Sequence, residues 1–179
     1  RQQARNLAMA LWVTSWVLDG CPPEARLPEA DYLEQTEKNL EGFSWPLRIE
    51  IIQKDTQVWV LDSAHSPQAA RSLRQTLDEL YPGRPVHFSL GFSGDKNTGK
   101  FIRCLVRQKD RISCHRSSHP RSMSVELLRG RVPEELKSQV NPNVTLENLI
   151  QKKAGREIIC ATGSLFWAAD VKEALARQD

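Results

Sequence analysis

Val58-Trp59-Val60-Leu61-Asp62-Ser63-Ala64-His65-Ser66-Pro67 passes in one short run from strand to loop to helix. The β-branched and aromatic residues at its start read as a buried strand. Pro67 suits the first turn of a helix, where its missing N–H would have had no partner. That helix is predicted over residues 67–80, with Ala69, Ala70, Leu73, Leu77 and Leu80 on one face. On the loop between strand and helix, Asp62 and His65 stand three apart. Capping of the helix would explain Asp62 or Ser66. It gives His65 no role, so the acid–imidazole pair is a candidate functional site.

Working outward, strands and helices alternate. Residues 48–53 and 57–61 read as two strands around Lys54-Asp55-Thr56, a hairpin-like pair. Residues 85–92 lean to strand, 93–99 form a polar loop, and 100–108 read as helix. A strand follows at 111–115, helical pieces at 123–128 and 134–140, and a helix at 146–154. A buried strand at 157–161 and a closing helix at 165–177 complete the series. Repeats of this kind predict an α/β fold: a three-layer, Rossmann-like, mostly parallel sheet with helices on both faces. Ligands of such sheets bind outside the carboxyl ends of the strands. That rule selects the loops 62–67, 93–99, 116–121 and 162–164.

The amino-terminal part reads differently. Residues 3–18 form a predicted helix carrying Leu7, Leu11 and Leu18, broken by Asp19-Gly20-Cys21-Pro22-Pro23. A second short helix is expected over 29–40. Pro46 disfavours helix at Trp45, which places a boundary between residues 1–44, a terminal helix and linker, and a main domain at 45–179.

Composition narrows the class. The 179 residues are 40% hydrophobic and 26% charged, the balance of an ordinary globular protein long enough for one full core. A formal charge of +3 is too small to argue for nucleic acid. No stretch approaches the roughly 18 apolar residues of a membrane span, and no signal peptide pattern is present. The expected setting is a reducing cytoplasm. The four cysteines, Cys21, Cys104, Cys114 and Cys160, form no CxxC pair. Cys104, Cys114, His115 and His119 match no common zinc spacing, so no metal ligand is assigned.

The remaining loops carry further candidates. Gly94-Asp95-Lys96-Asn97-Thr98-Gly99-Lys100-Phe101 nearly matches GxxxxGK[ST], but Phe101 lacks the hydroxyl that holds magnesium. It reads instead as a polar loop at the substrate edge, with Asp95 and Lys96 as candidates. Thr162-Gly163-Ser164 precedes a helix whose amino terminus favours anions, and Ser164 can also cap it. Arg121, in His119-Pro120-Arg121, suits recognition of a carboxylate.

In this order the motifs resemble the carboxy-terminal domain of folylpolyglutamate synthases, relatives of the Mur ligases. Trp45-Pro46-Leu47-Arg48-Ile49-Glu50 is similar to that family's W-P-x-R-x-E. Residues 60–67 are similar to V-x-D-G-A-H-N-P, with Ser63 in place of Gly and Ser66 in place of Asn. Asp95-Lys96-Asn97 resembles D-K-D, Pro120-Arg121-Ser122 resembles P-R-A, and Ala161-Thr162-Gly163-Ser164-Leu165-Phe166 resembles the T-G-S-L-Y segment. The resemblance covers residues 45–175, and the first helix resembles the last helix of the family's ATPase domain.

The resemblance implies an ATP-dependent carboxylate–amine ligase that adds glutamate to folate through an acyl phosphate. It implies ATP and Mg2+ as cofactors, held mainly by an amino-terminal ATPase domain outside this chain. Arg48 and Asp62 would bind nucleotide, and Ser164 and Arg121 substrate. His65 would be the catalytic-loop residue that seats the incoming glutamate; Asp95 and Lys96 would lie at the site's edge. A monomer without nucleic-acid or membrane partners is expected. A φ above zero at Ser63 would be strained. The competing readings are a peptidoglycan-precursor Mur ligase domain, a non-catalytic small-molecule-binding module, and an independent P-loop hydrolase that Phe101 disfavours.

Overall fold

The computed structural model describes Ala10, Val13 and residues 45–94, 97–152 and 157–177. The chain divides into two units, Arg1–Ser44 and Trp45–Asp179; the sheet and the candidate loops belong to the second. The helices expected at 3–18 and 29–40, and the candidates Asp95 and Lys96, lie outside the described residues.

A five-stranded sheet has the order β1-β2-β5-β3-β4. Its strands are β1 (Glu50–Lys54), β2 (Gln57–Leu61), β3 (Val86–Leu90), β4 (Arg111–Cys114) and β5 (Ile158–Thr162). The β1–β2 hairpin is antiparallel, with Lys54 opposite Gln57, and every other pairing is parallel. Asp55 in the tight turn holds a φ of 52°, a conformation that aspartate tolerates better than most residues. The mostly parallel α/β sheet expected from the sequence is therefore observed.

The helices are α1 (Pro67–Leu80), α2 (Thr98–Leu105), α3 (Val125–Gly130), α4 (Leu146–Gln151) and α5 (Leu165–Ala176). Residues 134–139 are a 3-10 turn rather than an α-helical piece. Side-chain alternation sends Val60, Phe88, Leu90, Ile112 and Cys160 to one face, against Leu73, Leu77, Phe101, Ile102 and Leu128. Trp59, Leu61, Ile159 and Ala161 face the other way, against Leu149, Ile150, Trp167 and Val171. Two cores with a sheet between them make three layers.

Among the boundaries that differ from expectation, two have clear local reasons. Helix α2 begins at Thr98 rather than Lys100, because Asn97 caps it and its side chain accepts the Lys100 N–H. Strand β1 begins at Glu50 rather than Arg48, because Leu47 and Ile49 have φ of 59° and 51° and leave the extended region.

The second core carries a polar row. His87 and His115 both bond the Ser113 hydroxyl through Nε2, at 3.0 and 2.8 Å. One hydroxyl can donate to only one imidazole, so at least one of the two rings donates its Nε2–H to Ser113. His115 also stacks on Trp167, with centroids 4.7 Å apart. Burial lowers the pKa of each histidine to about 4. Cys114 points to the opposite face and burial pushes its thiol up to about 11. Neighbours in sequence, Cys114 and His115 lie on opposite sides of the sheet, so they cannot share a zinc ion.

Candidate functional site

The loops selected from the sequence converge at the carboxyl end of the parallel strands. Ala64 C=O accepts from Gly163 N–H at 3.0 Å, and Thr162 C=O accepts from Gly91 N–H at 3.1 Å. Leu90 C=O accepts from His115 N–H, Phe92 C=O from Met123 N–H, and Arg121 C=O from Gly94 N–H. Each loop is thereby tied to its neighbour across the sheet edge. Two glycines permit this closeness. A Cβ at Gly91 would meet the Trp167 side chain at 2.5 Å; one at Gly163, where φ is +102°, would meet the Gly91 carbonyl oxygen at 2.7 Å.

Asp62 is buried at the end of β2. Its Oδ1 accepts from Ala64 N–H at 2.8 Å and its Oδ2 from Ile49 N–H at 3.0 Å. Burial raises its pKa, outweighing those two bonds and the nearby Arg48 and His65. A carboxylate held at that cost is poised for a cationic or hydrogen-bonding partner.

Arg48 is exposed and stands on the segment leading into β1. Because β1 runs antiparallel, its start lies beside the end of β2, with Glu50 opposite Leu61. That single reversal delivers Arg48 to the same edge as Asp62. Left-handed backbone at Leu47 and Ile49 costs roughly 1–2 kcal/mol each, so the surrounding bonds must hold the segment in place.

His65 is exposed, and its Nδ1 donates to the Ser63 carbonyl at 3.0 Å. In the neutral ring this leaves Nε2 as the acceptor. Asp62 and His65 therefore face one loop but are linked electrostatically, each committed to backbone partners. Ser66 is the N-cap of α1, its hydroxyl accepting from Ala69 N–H at 3.2 Å. Ser63 is not among the non-glycine residues with positive φ, so its side chain fits without that strain.

Ser164 caps α5, accepting from Phe166 N–H, and its hydroxyl lies 3.2 Å from that of Ser93. Arg121 is exposed, and its N–H donates to His119 Nδ1. The His119 ring stacks on Phe166 at 3.8 Å, beside the exposed Leu165. The structure thus gathers Arg48, Asp62, His65, Arg121 and Ser164 at one edge. Ser93, Glu50 and Phe166 join them without having been selected from the sequence. Glu50 had a signal, the final position of Trp45-Pro46-Leu47-Arg48-Ile49-Glu50; Ser93 becomes visible only when β3 and β5 are paired. Among the described residues no group of three or more His, Cys, Asp or Glu could hold a metal ion.

Known proteins share parts of this sequence and this fold. Residues 47–165 match the family model for the Mur ligase, glutamate ligase domain. The dihydrofolate synthase/folylpolyglutamate synthase of Bacillus subtilis is 24% identical over 143 residues, covering 79% of this chain and 33% of that protein. A probable bifunctional folylpolyglutamate synthase/dihydropteroate synthase of Haloferax volcanii is 28% identical over 136 residues, covering 76% of this chain and 14% of that one. The Yersinia pestis bifunctional folylpolyglutamate synthase/dihydrofolate synthase, solved with AMPPNP and Mn, has the same fold: TM-score 0.66 at 24% identity, covering 86% of this chain and 36% of that one. The chain spans about a third of the length of the Bacillus relative. The chain belongs to the Mur ligase, glutamate ligase domain family.

Proposed function

We propose that this chain is the carboxy-terminal domain of an ATP-dependent ligase that adds glutamate to folate. The observation that carries the reading is the convergence of Arg48, Asp62, His65 and Ser164 on one sheet edge in a chain of this family. The folate-related activities of the relatives supply the substrate class. The nucleotide and Mn in the Yersinia structure support ATP with a divalent ion. By the family resemblance, Mg2+ would be held mainly by an amino-terminal ATPase domain.

In this reading Arg48 meets the nucleotide phosphates, a pairing that charge-assisted hydrogen bonds favour. Asp62 lies beside it at the nucleotide edge. The amino end of α5 and the Ser164 hydroxyl offer hydrogen bonds to a carboxylate of incoming glutamate, with Arg121 as a second cation. His65 seats the amine side of that substrate. The amine attacks the acyl phosphate carbon; the new C–N bond replaces the C–O bond to phosphate, which leaves, and the amine gives up a proton. Orienting the two reactants can supply roughly 7–11 kcal/mol of the barrier, and closure of the two domains would exclude water from the acyl phosphate. The whole protein is read as a cytoplasmic monomer. Serine at position 66 and asparagine at 97 both act as helix caps, so those departures from the family motif do not favour a non-catalytic module.

The test is an assay of the full-length protein with ATP, a reduced folate and glutamate. We expect ADP release coupled to addition of glutamate, and none from the 179-residue chain alone. His65→Ala should raise the glutamate KM about tenfold, the scale of one lost hydrogen bond to a charged group, and leave the ATP KM nearly unchanged. Glutamate-dependent ADP release by the isolated chain, or unaltered kinetics in His65→Ala, would overturn the assignment.

A further inference from the structure

Arg48 sits between two left-handed residues, and a separate carboxylate holds each of them. Glu50 Oε2 accepts the Leu47 N–H at 2.9 Å. Asp62 Oδ2 accepts the Ile49 N–H at 3.0 Å. The second oxygen of each carboxylate is anchored elsewhere: Glu50 Oε1 lies 2.6 Å from Lys172 Nζ on α5, and Asp62 Oδ1 takes the Ala64 N–H. A further bond runs from Ser63 N–H to the Leu47 carbonyl at 2.9 Å. Leu47 packs into one core and Ile49 against the other, so the segment wraps the sheet edge.

These bonds connect three parts of the site. Through Glu50 and Lys172 the Arg48 segment is tied to α5, whose amino end carries Ser164. Through Asp62 and Ser63 it is tied to the loop bearing His65. Neither leucine nor isoleucine favours positive φ, so the turn depends on acceptors placed on both sides of it. Such strain persists where surrounding structure determines it, and it concentrates at functional sites.

We propose that Glu50, Asp62 and Lys172 are positioning residues, which hold the strained turn so that Arg48 is presented to an anionic phosphate group at the sheet edge. This rests on the reading of Arg48 as a nucleotide-phosphate contact. Glu50 and Lys172 act through Arg48, and so does Asp62 in this role.

The decisive comparison uses the full-length protein with Arg48→Ala, Glu50→Ala, Glu50→Gln and the Arg48→Ala/Glu50→Ala double variant. Arg48→Ala and Glu50→Ala should each raise the ATP KM about tenfold, the scale of one charged hydrogen bond, with the glutamate KM unchanged. The double variant should be no worse than Arg48→Ala, because residues acting through one group are not additive. Glu50→Gln keeps one oxygen for the Leu47 N–H but loses the acceptor for Lys172, so it should recover part of the loss. Hydrogen exchange at the Leu47 amide should accelerate in Glu50→Ala and stay slow in Arg48→Ala. An unchanged ATP KM in Arg48→Ala overturns the phosphate reading and this proposal with it. A raised KM there with additive losses in the double variant, or with Leu47 exchange unaltered by Glu50→Ala, overturns the proposal alone.

Discussion

Two buried aspartates sit at opposite ends of the same sheet, Asp62 6% exposed and Asp110 5%, and they serve different ends. Asp110 lies where β3 and β4 begin. It accepts the Val86 and Arg107 N–H groups at 2.8 Å each, and Arg74 Nη1 at 3.3 Å. Arg74 is itself buried, pairs with Asp78 at 2.9 Å, and lies over the Phe88 ring. Asp62 also takes two backbone N–H groups, but the guanidinium acting on it is that of the exposed Arg48. Equal burial therefore gives unequal chemistry. A carboxylate with a buried guanidinium is a structural lock; Asp62, whose charge burial disfavours, stands instead beside a solvent-facing guanidinium.

The largest effect should come from breaking the lock. Asp110→Ala leaves the Arg74 guanidinium without one buried partner and strips acceptors from two N–H groups. Removing one member of a buried pair costs about 3–5 kcal/mol. Asp62→Ala removes acceptors from two N–H groups but strands no buried cation, so a loss of about 1–3 kcal/mol is expected. Urea unfolding of the two variants measures both. Equal losses would erase the distinction between a locked end and an open one.

Acid sharpens the same contrast with opposite signs. His87 and His115 have folded pKa values of about 4 because burial disfavours the charged ring. Glu157, Lys152 and Arg111 face His87 electrostatically; Glu147 and Arg129 face His115. The unfolded chain binds these protons near pH 6.5, so it binds more of them than the folded chain down to about pH 4. Stability from this pair is complete above about 6.5, falls as pH drops, and is lost below about 4, by about 2 kcal/mol per ring at pH 5. Asp62 runs the other way: its raised pKa means the folded state gains on protonation. Chemical unfolding between pH 7 and 5 should show the fall, and His115→Gln should remove about half of its slope. A flat profile in the wild type would show that these rings do not stay neutral in the fold.

The order of elements was legible because each strand ends at a clear change of period, from the run at 58–61 to the helix at 67–80. The convergence of loops 62–67 and 162–164 followed from that order, since parallel strands bring their carboxyl ends together. What could not be read were features that need two distant segments at once. The imidazoles of His87 and His115 meet on Ser113 only through the β3–β4 register. Leu47 and Ile49 carry no local signal for positive φ, because the acceptors that hold them come from Glu50 and from Asp62 on the loop after β2. Helix α2 starts two residues before the expected Lys100, because the Asn97 side chain caps it.

The smallest effect asks whether position 66 belongs to the open end's chemistry or to its scaffold. The family motif has asparagine there, which suggests a ligand contact, and serine would then be a loss. The structure shows the Ser66 hydroxyl committed to Ala69 N–H in the first turn of α1. Asparagine and serine are comparable caps, whereas alanine costs typically about 1 kcal/mol. Ser66→Ala should therefore destabilise the chain by about 1 kcal/mol, and Ser66→Asn should leave its stability unchanged within a few tenths. Urea midpoints of the three proteins, set beside glutamate and ATP KM values, separate the alternatives. If Ser66→Asn changes KM while stability holds, position 66 touches ligand and the open end extends into the cap; if neither changes, capping accounts for the substitution.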